Sequence, residues 1–292
     1  MNLVSLRNRM NTVGNIYQVV NSMETLATMK IIKLRTDAEK RRKYAEKLRD
    51  ILVSLSSILP PEIPENVLLY DKNISNKNLV ILVTSDRGFS GSMNLDVEKK
   101  TKDFIISLKN PKLITIGKKI GEKLINECYD VVAIIDKKLE NVNLNFAKNL
   151  ASDIVKSFLN DEYDNIYVAS TEFINIVQQN TVIKKIIPLQ SAEDNSYIKK
   201  YPYEHFLFNP EPKKIFSILV RNYVDVFIYS ILLDAAASEQ AIRMITMHTA
   251  TENAEESLKG LKLMYHRIRQ EKITRELNEI STHLINLNRN EN

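Results

Sequence analysis

Residues 3–59 read LVSLRNRMNTVGNIYQVVNSMETLATMKIIKLRTDAEKRRKYAEKLRDILVSLSSIL, in which apolar residues recur at alternating steps of three and four. Of the seventeen positions in this row, fifteen are apolar or aromatic, and only Glu24 and Arg41 interrupt it. A 3.5-residue repeat drifts against the 3.6-residue helical turn, so two such helices wind around each other. The row therefore predicts a coiled-coil helix, and an amphipathic helix lying on a globular core is the alternative. We call it the N-terminal seam: positions 3, 6, 10, 13, 17, 20, 24, 27, 31, 34, 38, 41, 45, 48, 52, 55 and 59.

A matching row lies near the other end of the chain, which we call the C-terminal seam. It has two parts separated by a five-residue step: Ala254, Leu258, Leu261, Tyr265 and Ile268, then Ile273, Leu277, Ile280, Leu284 and Leu287. All eight prolines lie between Pro60 and Pro212, so both arms of the chain are free of this helix breaker. Because one chain carries both seams, we expect residues 1–59 and 213–292 to form a long antiparallel coiled coil that projects from a globular body.

The middle of the chain, residues 60–212, has the pattern of an α/β domain. Apolar runs of strand length alternate with helical stretches near residues 94–108, 118–128 and 143–160, which predicts βαβ units and a mostly parallel, Rossmann-like sheet. Residues 60–76 and 191–212 are expected to be linkers. The predicted strands are Asn78–Thr84, Lys112–Gly117, Val131–Ile135, Asn165–Ser170 and Thr181–Leu189.

Composition and charge narrow the class of protein. Cys128 is the single cysteine, so no disulfide can form within the chain, and a reducing compartment is expected. We expect neither a signal peptide nor a bilayer-spanning helix. The net charge of +5 is concentrated in residues 1–58, where Lys40, Arg41, Arg42 and Lys43 form a basic block. A solvated face or an acidic protein partner explains this block better than nucleic acid, because no recognised nucleic-acid fold accompanies it.

One loop has the form of a ligand site. Residues Thr84–Asn94, TSDRGFSGSMN, follow the first predicted strand, where open α/β sheets bind their ligands. Neither the P-loop pattern nor the dinucleotide fingerprint is present, so a tight structural turn is favoured. A nucleotide-binding enzyme that uses this loop remains the alternative. The four histidines are scattered and Cys128 has no neighbouring histidine, so we expect no catalytic residues, no metal and no cofactor.

Three segments resemble the gamma subunit of bacterial ATP synthases. Residues 6–35, LRNRMNTVGNIYQVVNSMETLATMKIIKLR, are similar to the N-terminal helix of that family. The loop at 84–94 resembles the family's loop after its first strand. Residues 237–280, ASEQAIRMITMHTATENAEESLKGLKLMYHRIRQEKITRELNEI, resemble its C-terminal helix and carry the most specific part of the match.

The resemblance implies a non-catalytic rotor of the central stalk, in a peripheral complex on the cytoplasmic face of the cell membrane. The implied partners are the alpha and beta subunits, which surround the coiled coil, and the epsilon subunit and the c ring, which contact the body. It also implies six partner-binding residues. Met23 would lie near an acidic loop of the beta subunit, and Arg269 and Gln270 would hydrogen-bond that loop. Thr274 and Glu276 match polar positions one turn further on that help set coupling, and Arg243 matches a basic position on the same helix. The chain departs from the family at Glu271 and Lys272, whose opposite charges allow local ion pairs, and at Ser92. No cysteine pair is present for redox switching.

Three hypotheses follow from these observations. The first is the rotor, the second is the nucleotide-binding enzyme, and the third is a coiled-coil tether without a coupling role. Replacing the surface residues of the arms while keeping both seams separates the first from the third, because a tether tolerates that change and a rotor loses coupling.

Overall fold

The computed structural model describes residues 3–56, 77–188, 209 and 211–290, so the expected linker 60–76 and most of 191–212 lie outside the described residues. Five helices and five strands are described. In chain order, with a short 3-10 helix between β3 and α4, the elements are α1 (Leu3–Ser56), β1 (Asn78–Val83), α2 (Met93–Ile105), β2 (Pro111–Ile116), α3 (Lys118–Asn126), β3 (Val131–Ile135), the 3-10 helix (Leu139–Asn141), α4 (Leu144–Leu159), β4 (Asn165–Phe173), β5 (Gln179–Ile187) and α5 (Pro212–Asn290).

The strands form one mixed sheet in the order β3-β2-β1-β4-β5. Strands β1, β2, β3 and β4 pair in parallel, and β5 runs antiparallel to β4. The predicted mostly parallel sheet is confirmed. Strand β4 continues past the predicted end at Ser170 to Phe173, because it forms a hairpin with β5. The Asn175 side chain closes the hairpin by accepting hydrogen bonds from the backbone N–H groups of Val177 and Gln178.

The sheet is covered on both faces, which explains why β1 is a continuous apolar run. Leu79, Ile81 and Val83 face a core that also holds residues from α1, α4 and α5. Val80 and Leu82 face the opposite core, which holds residues from α2 and α3. The central strand therefore sits between two helical layers.

The chain divides into two compact units. The sheet unit, Ala27–Arg243, contains all the strands, and the terminal unit contains Met1–Leu26 and Met244–Asn292. Both boundaries fall inside a helix, in α1 and in α5. The expected functional division at 1–59, 60–212 and 213–292 stays a prediction.

The N-terminal seam matches the observed burial of α1. All sixteen of its described positions, from Leu3 to Leu55, are buried or half-buried; Leu59 lies outside the described residues. Off the seam, the described side chains of α1 are exposed except for four half-buried positions: Gly14, Met23, Asp37 and Arg42. The seam is therefore the face through which α1 packs.

The two long helices run antiparallel within each unit. In the terminal unit, Glu24 lies 2.9 Å from His248, and Tyr17, earlier in α1, lies near Lys259, later in α5. In the sheet unit, Arg42 lies 2.8 Å from Asp234, and Arg49, later in α1, lies near Tyr223, earlier in α5. The predicted coiled-coil pair of terminal helices is thus confirmed.

The structure differs from the prediction in the second part of the C-terminal seam, which was expected to pack in the coiled coil. Ala254 is buried, and the other residues of the first part are half-buried. Ile273, Leu277 and Ile280 are instead 44%, 61% and 58% exposed, and the side chains of Leu284 and Leu287 lie outside the described residues. The cause is length, because α5 has 79 residues and α1 only 54, so α5 continues beyond the start of α1.

One stretch of α5, within Lys214–Thr282, is apolar enough by composition to cross a membrane, with a mean hydropathy of 1.6. Half of that window is buried inside the protein. Phe216, Val220, Val224 and Leu232 belong to the core beside the sheet. Packing in this core accounts for the apolar character of the helix.

Candidate functional site

The loop after β1 is held by its own polar side chains. Asp86 accepts hydrogen bonds from the backbone N–H groups of Lys118 and Lys119, at 2.7 and 2.8 Å. These groups begin α3, and a helix N-terminus is where α/β folds often hold a phosphate. A carboxylate of the chain itself therefore occupies that anion position, which supports the structural turn over the nucleotide site.

The rest of the loop is equally well satisfied. The Asn94 amide donates to the carbonyl oxygen of Ser85 at 2.6 Å and accepts from its N–H at 2.8 Å. Thr84 donates its hydroxyl to the Ile116 carbonyl at 2.8 Å. Gly117, with φ of 112°, passes so close that a Cβ there would lie 2.4 Å from the Thr84 hydroxyl oxygen. The loop is therefore rigidly joined to both β2 and α2.

Helix α5 packs directly on this loop. A Cβ on Gly91, whose φ is 55°, would lie 2.8 Å from Cγ2 of Ile242. Arg243 is 5% exposed, forms an ion pair with Glu239 one turn earlier, and places Nη2 3.5 Å from the carbonyl oxygen of Gly88. In open α/β sheets the ligand crevice lies outside the carboxyl ends of the strands, and here α5 packs against the loop at that end of β1.

Glu140 joins the same loop to α1. Its Oε2 accepts from Nζ of Lys30 at 2.7 Å and from Nη1 of Arg87 at 2.6 Å. Burial would raise the pKa of Glu140, but the hydrogen bond from Lys30 and the charges of Arg87 and Lys30 outweigh it, so the pKa is lowered. Glu140 is therefore held as a carboxylate between two cations.

A cavity of about 750 Å³ lies in the sheet unit between α1, α5 and β5. Four of its charged wall residues form ion pairs: Arg42 contacts Asp234, and Lys184 lies 3.1 Å from Glu172. The stacked rings of Tyr223 and Phe227 form another wall.

Metal-binding geometry is not seen within the described residues, since no group of three or more His, Cys, Asp or Glu side chains converges there. Cys128 is exposed. His248 contacts Glu24 and also lies 3.5 Å from Glu252.

The six residues that the resemblance marked for partner binding lie in different surroundings. Met23 is half-buried in α1. Arg243 is buried against the loop, as described above. The other four are exposed on α5 in the terminal unit: Arg269, Gln270, Thr274 and Glu276.

The local ion pairs around Arg269 leave its side chain unengaged. Glu271 pairs with Arg267 at 3.2 Å, and Lys272 pairs with Glu276 at 3.5 Å. The side chain of Arg269 makes no ion pair or hydrogen bond with a residue that the structure describes. The two departures from the family pattern thus pair with other neighbours and do not occupy the guanidinium.

Sequence reasoning missed two features of the surface. The first is the Glu140 contact, since nothing in the sequence links positions 30, 87 and 140. The second is a row of exposed apolar residues on α1 off the seam, whose signal was the presence of large apolar residues outside the heptad row. Its members are Ile16, Val19, Leu26, Met29 and Ile32, each at least half exposed.

Comparisons with known proteins first define the class. A family model described as ATP synthase matches residues 2–283. The structure of the central stalk and c ring of Tetrahymena thermophila mitochondrial ATP synthase includes a chain that superposes with a TM-score of 0.56 at 21% identity. The match covers 80% of this chain and 99% of that chain. The class is therefore that of ATP synthase subunits, with a fold found in a central stalk.

The curated relatives specify the family. The ATP synthase gamma chain of Dictyoglomus turgidum is 35% identical over 282 residues, which cover 96% of each chain. The gamma chain of Acetobacterium woodii, described as sodium ion specific, is 29% identical over 294 residues, again 96% of each. The chain belongs to the family of ATP synthase gamma chains, which are stalk subunits and not the catalytic ones. The resemblance drawn from the sequence is confirmed.

Proposed function

We propose that this protein is the central rotor of a rotary ATP synthase and transmits torque between a membrane ring of c subunits and the catalytic beta subunits. The observation that carries the proposal is the packing of α1 against α5 along an almost unbroken heptad seam. Two helices packed along one seam resist twisting better than a single helix, because their side chains must slip past each other together. Such a pair can carry force without performing a reaction.

The partners we propose follow from this role. The alpha and beta subunits would surround the two long helices, and the epsilon subunit and the c ring would contact the sheet unit. The complex would be peripheral, on the cytoplasmic face of the cell membrane. Lys40 and Lys43 of the basic block are exposed and, with the exposed apolar row of α1, supply contact surface, and the two lysines suit acidic protein partners.

The contact residues we propose for the beta subunit are Arg269, Gln270, Thr274 and Glu276, with Met23 on α1. Arginine has a planar fork of donors that matches a carboxylate, and Arg269 has no partner among the described residues. Its contact would differ between beta-subunit conformations, and this difference is what couples rotation to nucleotide state. Arg243 is buried, so we propose that it acts through the loop that it touches.

The test is reconstitution of the chain with alpha, beta and epsilon subunits and the membrane sector in vesicles. ATP-driven ion pumping is expected with the unchanged chain, and a lower ratio of ions pumped to ATP hydrolysed is expected for Arg269→Ala. Arg267→Ala is the matched control, since Arg267 is already paired with Glu271. A reconstituted complex that hydrolyses ATP without pumping would contradict the rotor function. ATP bound by the chain alone would favour the nucleotide-binding alternative.

A further inference from the structure

The loop at 84–94 is the place where the central strand meets both long helices through specific contacts. It follows β1 directly, contacts α1 through the Arg87–Glu140–Lys30 bridge, and contacts α5 through Gly91 and Gly88. We call this set the 84–94 joint and define it by six residues: Lys30, Arg87, Gly91, Glu140, Ile242 and Arg243. All six belong to the sheet unit.

The contacts of the joint differ in kind from most of the packing around the sheet, as does the ion pair of Arg42 with Asp234. Most of the burial of α1 and α5 beside the sheet is apolar, and apolar burial is non-directional. It holds a helix near a sheet but tolerates a small slide or rotation. An ion pair with two donors on one carboxylate, and a glycine too close for any Cβ, depend on direction and distance, so each restricts the arrangement more than apolar burial does. The joint therefore fixes the angle of each helix about its own axis.

The loop itself is stiff enough to carry force. Asp86 anchors it to the start of α3, and Asn94 closes it across Ser85. The side chain of Glu140 is 13% exposed, so water competes weakly for its two cations. A displacement of β1 is thus passed to Arg87 and Gly91 with little deformation of the loop.

The joint also lies at a decisive position along the two helices. Lys30 follows the boundary between Leu26 and Ala27 closely in α1, and Arg243 is the last residue of the sheet unit in α5. Each helix is therefore anchored near the point where it leaves the sheet unit.

We propose that the 84–94 joint transmits torque: it holds α1 and α5 to the central strand, so that both helices turn when the sheet turns. Glu140 and Arg87 are its positioning residues on the α1 side, and Gly91 and Arg243 are those on the α5 side. This inference rests on the proposed rotor function and adds the place where torque passes from the sheet to the helices.

The first experiment uses the reconstituted complex and compares the ratio of ions pumped to ATP hydrolysed. Glu140→Gln keeps the shape of the side chain and removes the charge, and Arg87→Gln removes one of its two partners at a partly exposed position. Each variant is expected to lower the ratio by about twofold or more, the usual scale for weakened coupling between distant sites. Glu39→Gln is the matched control, because the Arg35–Glu39 pair lies within α1 alone. An unchanged ratio in both joint variants would overturn the proposal.

The second experiment distinguishes a torque-transmitting role of the joint from a role in stability alone. Gly91→Ala places a methyl group against Ile242 and strains a backbone with φ of 55°, so it should lower the pumping ratio. Ile242→Ala in the same chain should restore the part of the loss that is due to the clash, because it makes room for the methyl group. A merely destabilising role predicts the reverse, since the double variant removes more core than either single one. Failure of the second change to restore the ratio would count against the joint.

The outcomes also distinguish the proposal for the 84–94 joint from the rotor function on which it rests. If the unchanged chain supports no pumping, the rotor function fails. If the unchanged chain supports pumping and Arg269→Ala lowers the ratio while the joint variants leave it intact, only the proposal for the 84–94 joint is wrong.

Discussion

The same heptad pattern is packed in two different ways in the two units. In the terminal unit, the α1 seam residues are half-buried apart from Leu6. The reason is that this unit contains only parts of α1 and α5, so each helix packs mainly on the other. In the sheet unit, most seam residues are fully buried, and Leu48, Leu52 and Leu55 belong to the core beside the sheet. A heptad seam therefore specifies which face of a helix is covered. The number of layers that pack on this face determines how deeply its side chains are buried.

The comparison is tested most strongly by removing the same side chain from each unit. Leu52→Ala, at 1% exposure, should lower the free energy of unfolding by about 2–5 kcal/mol, because it leaves a cavity in a closed core. Leu261→Ala, at a half-buried position of the terminal unit, should cost about 1 kcal/mol, because water can fill the space. Urea unfolding of the full chain, followed by circular dichroism, measures both. Equal losses would refute the difference between the units.

Glycine substitutions test the packing from the opposite direction. Gly121→Ala in the sheet unit would place a Cβ 2.4 Å from Oγ1 of Thr115, which is fully buried and cannot move aside. Overpacking of this kind should destabilise the protein by about 1–3 kcal/mol. Thermal unfolding of the full chain checks it, and a melting temperature at or above that of the unchanged chain would contradict the tight packing.

The charged pairs of the two units should also respond differently to mutation. Glu98 in the sheet unit is 3% exposed and lies 2.6 Å from Lys102 and 2.7 Å from Lys123. Burial would raise the pKa of Glu98, but the hydrogen bonds and charges of the two lysines outweigh it and lower the pKa. Glu98→Gln should therefore cost about 1–2 kcal/mol in the free energy of unfolding.

The sign of the pH dependence follows from the lowered pKa. The stabilisation by Glu98 is complete above the pKa of an unfolded glutamate, about 4.3, and is lost as the pH falls through the lower folded value. Urea unfolding from pH 7 down to pH 3 should show this loss in the unchanged chain and a weaker loss in Glu98→Gln. Glu255→Gln, in an exposed pair with Lys259, serves as the control and should leave stability unchanged at both pH values. Identical pH profiles for the unchanged chain and Glu98→Gln would exclude this role.

The smallest effect is expected in the terminal unit and has the opposite sign. Gly14 lies inside α1, and a Cβ there would meet nothing within 4 Å. Gly14→Ala should therefore stabilise the chain by about 0.5–1 kcal/mol, because alanine loses less backbone entropy in a helix. Gly260→Ala in α5 should behave in the same way. A drop in melting temperature for both variants would mean that the terminal unit is packed more tightly than its side-chain exposure indicates.

Much of the candidate site was open to sequence reasoning, and the rest depended on contacts between distant positions. The exposed positions at Arg269 and Gln270 came from the resemblance, and the structural turn at 84–94 came from the missing phosphate-binding motifs. The capping of α3 by Asp86 and the bridge at Glu140 were not accessible, because they join residues about 30 to 110 positions apart that have no periodic relation.

The sequence by itself determined the two long helices, the strands between them and the face through which α1 packs. These are local properties, since proline placement and a repeat of three and four residues act within a few turns of chain. The tertiary structure alone decided that β5 runs antiparallel, that Ile273, Leu277 and Ile280 stay uncovered, and that α5 packs on the loop after β1. Those outcomes depend on relative lengths and on which surfaces meet in space, and periodicity along one chain carries no information about either.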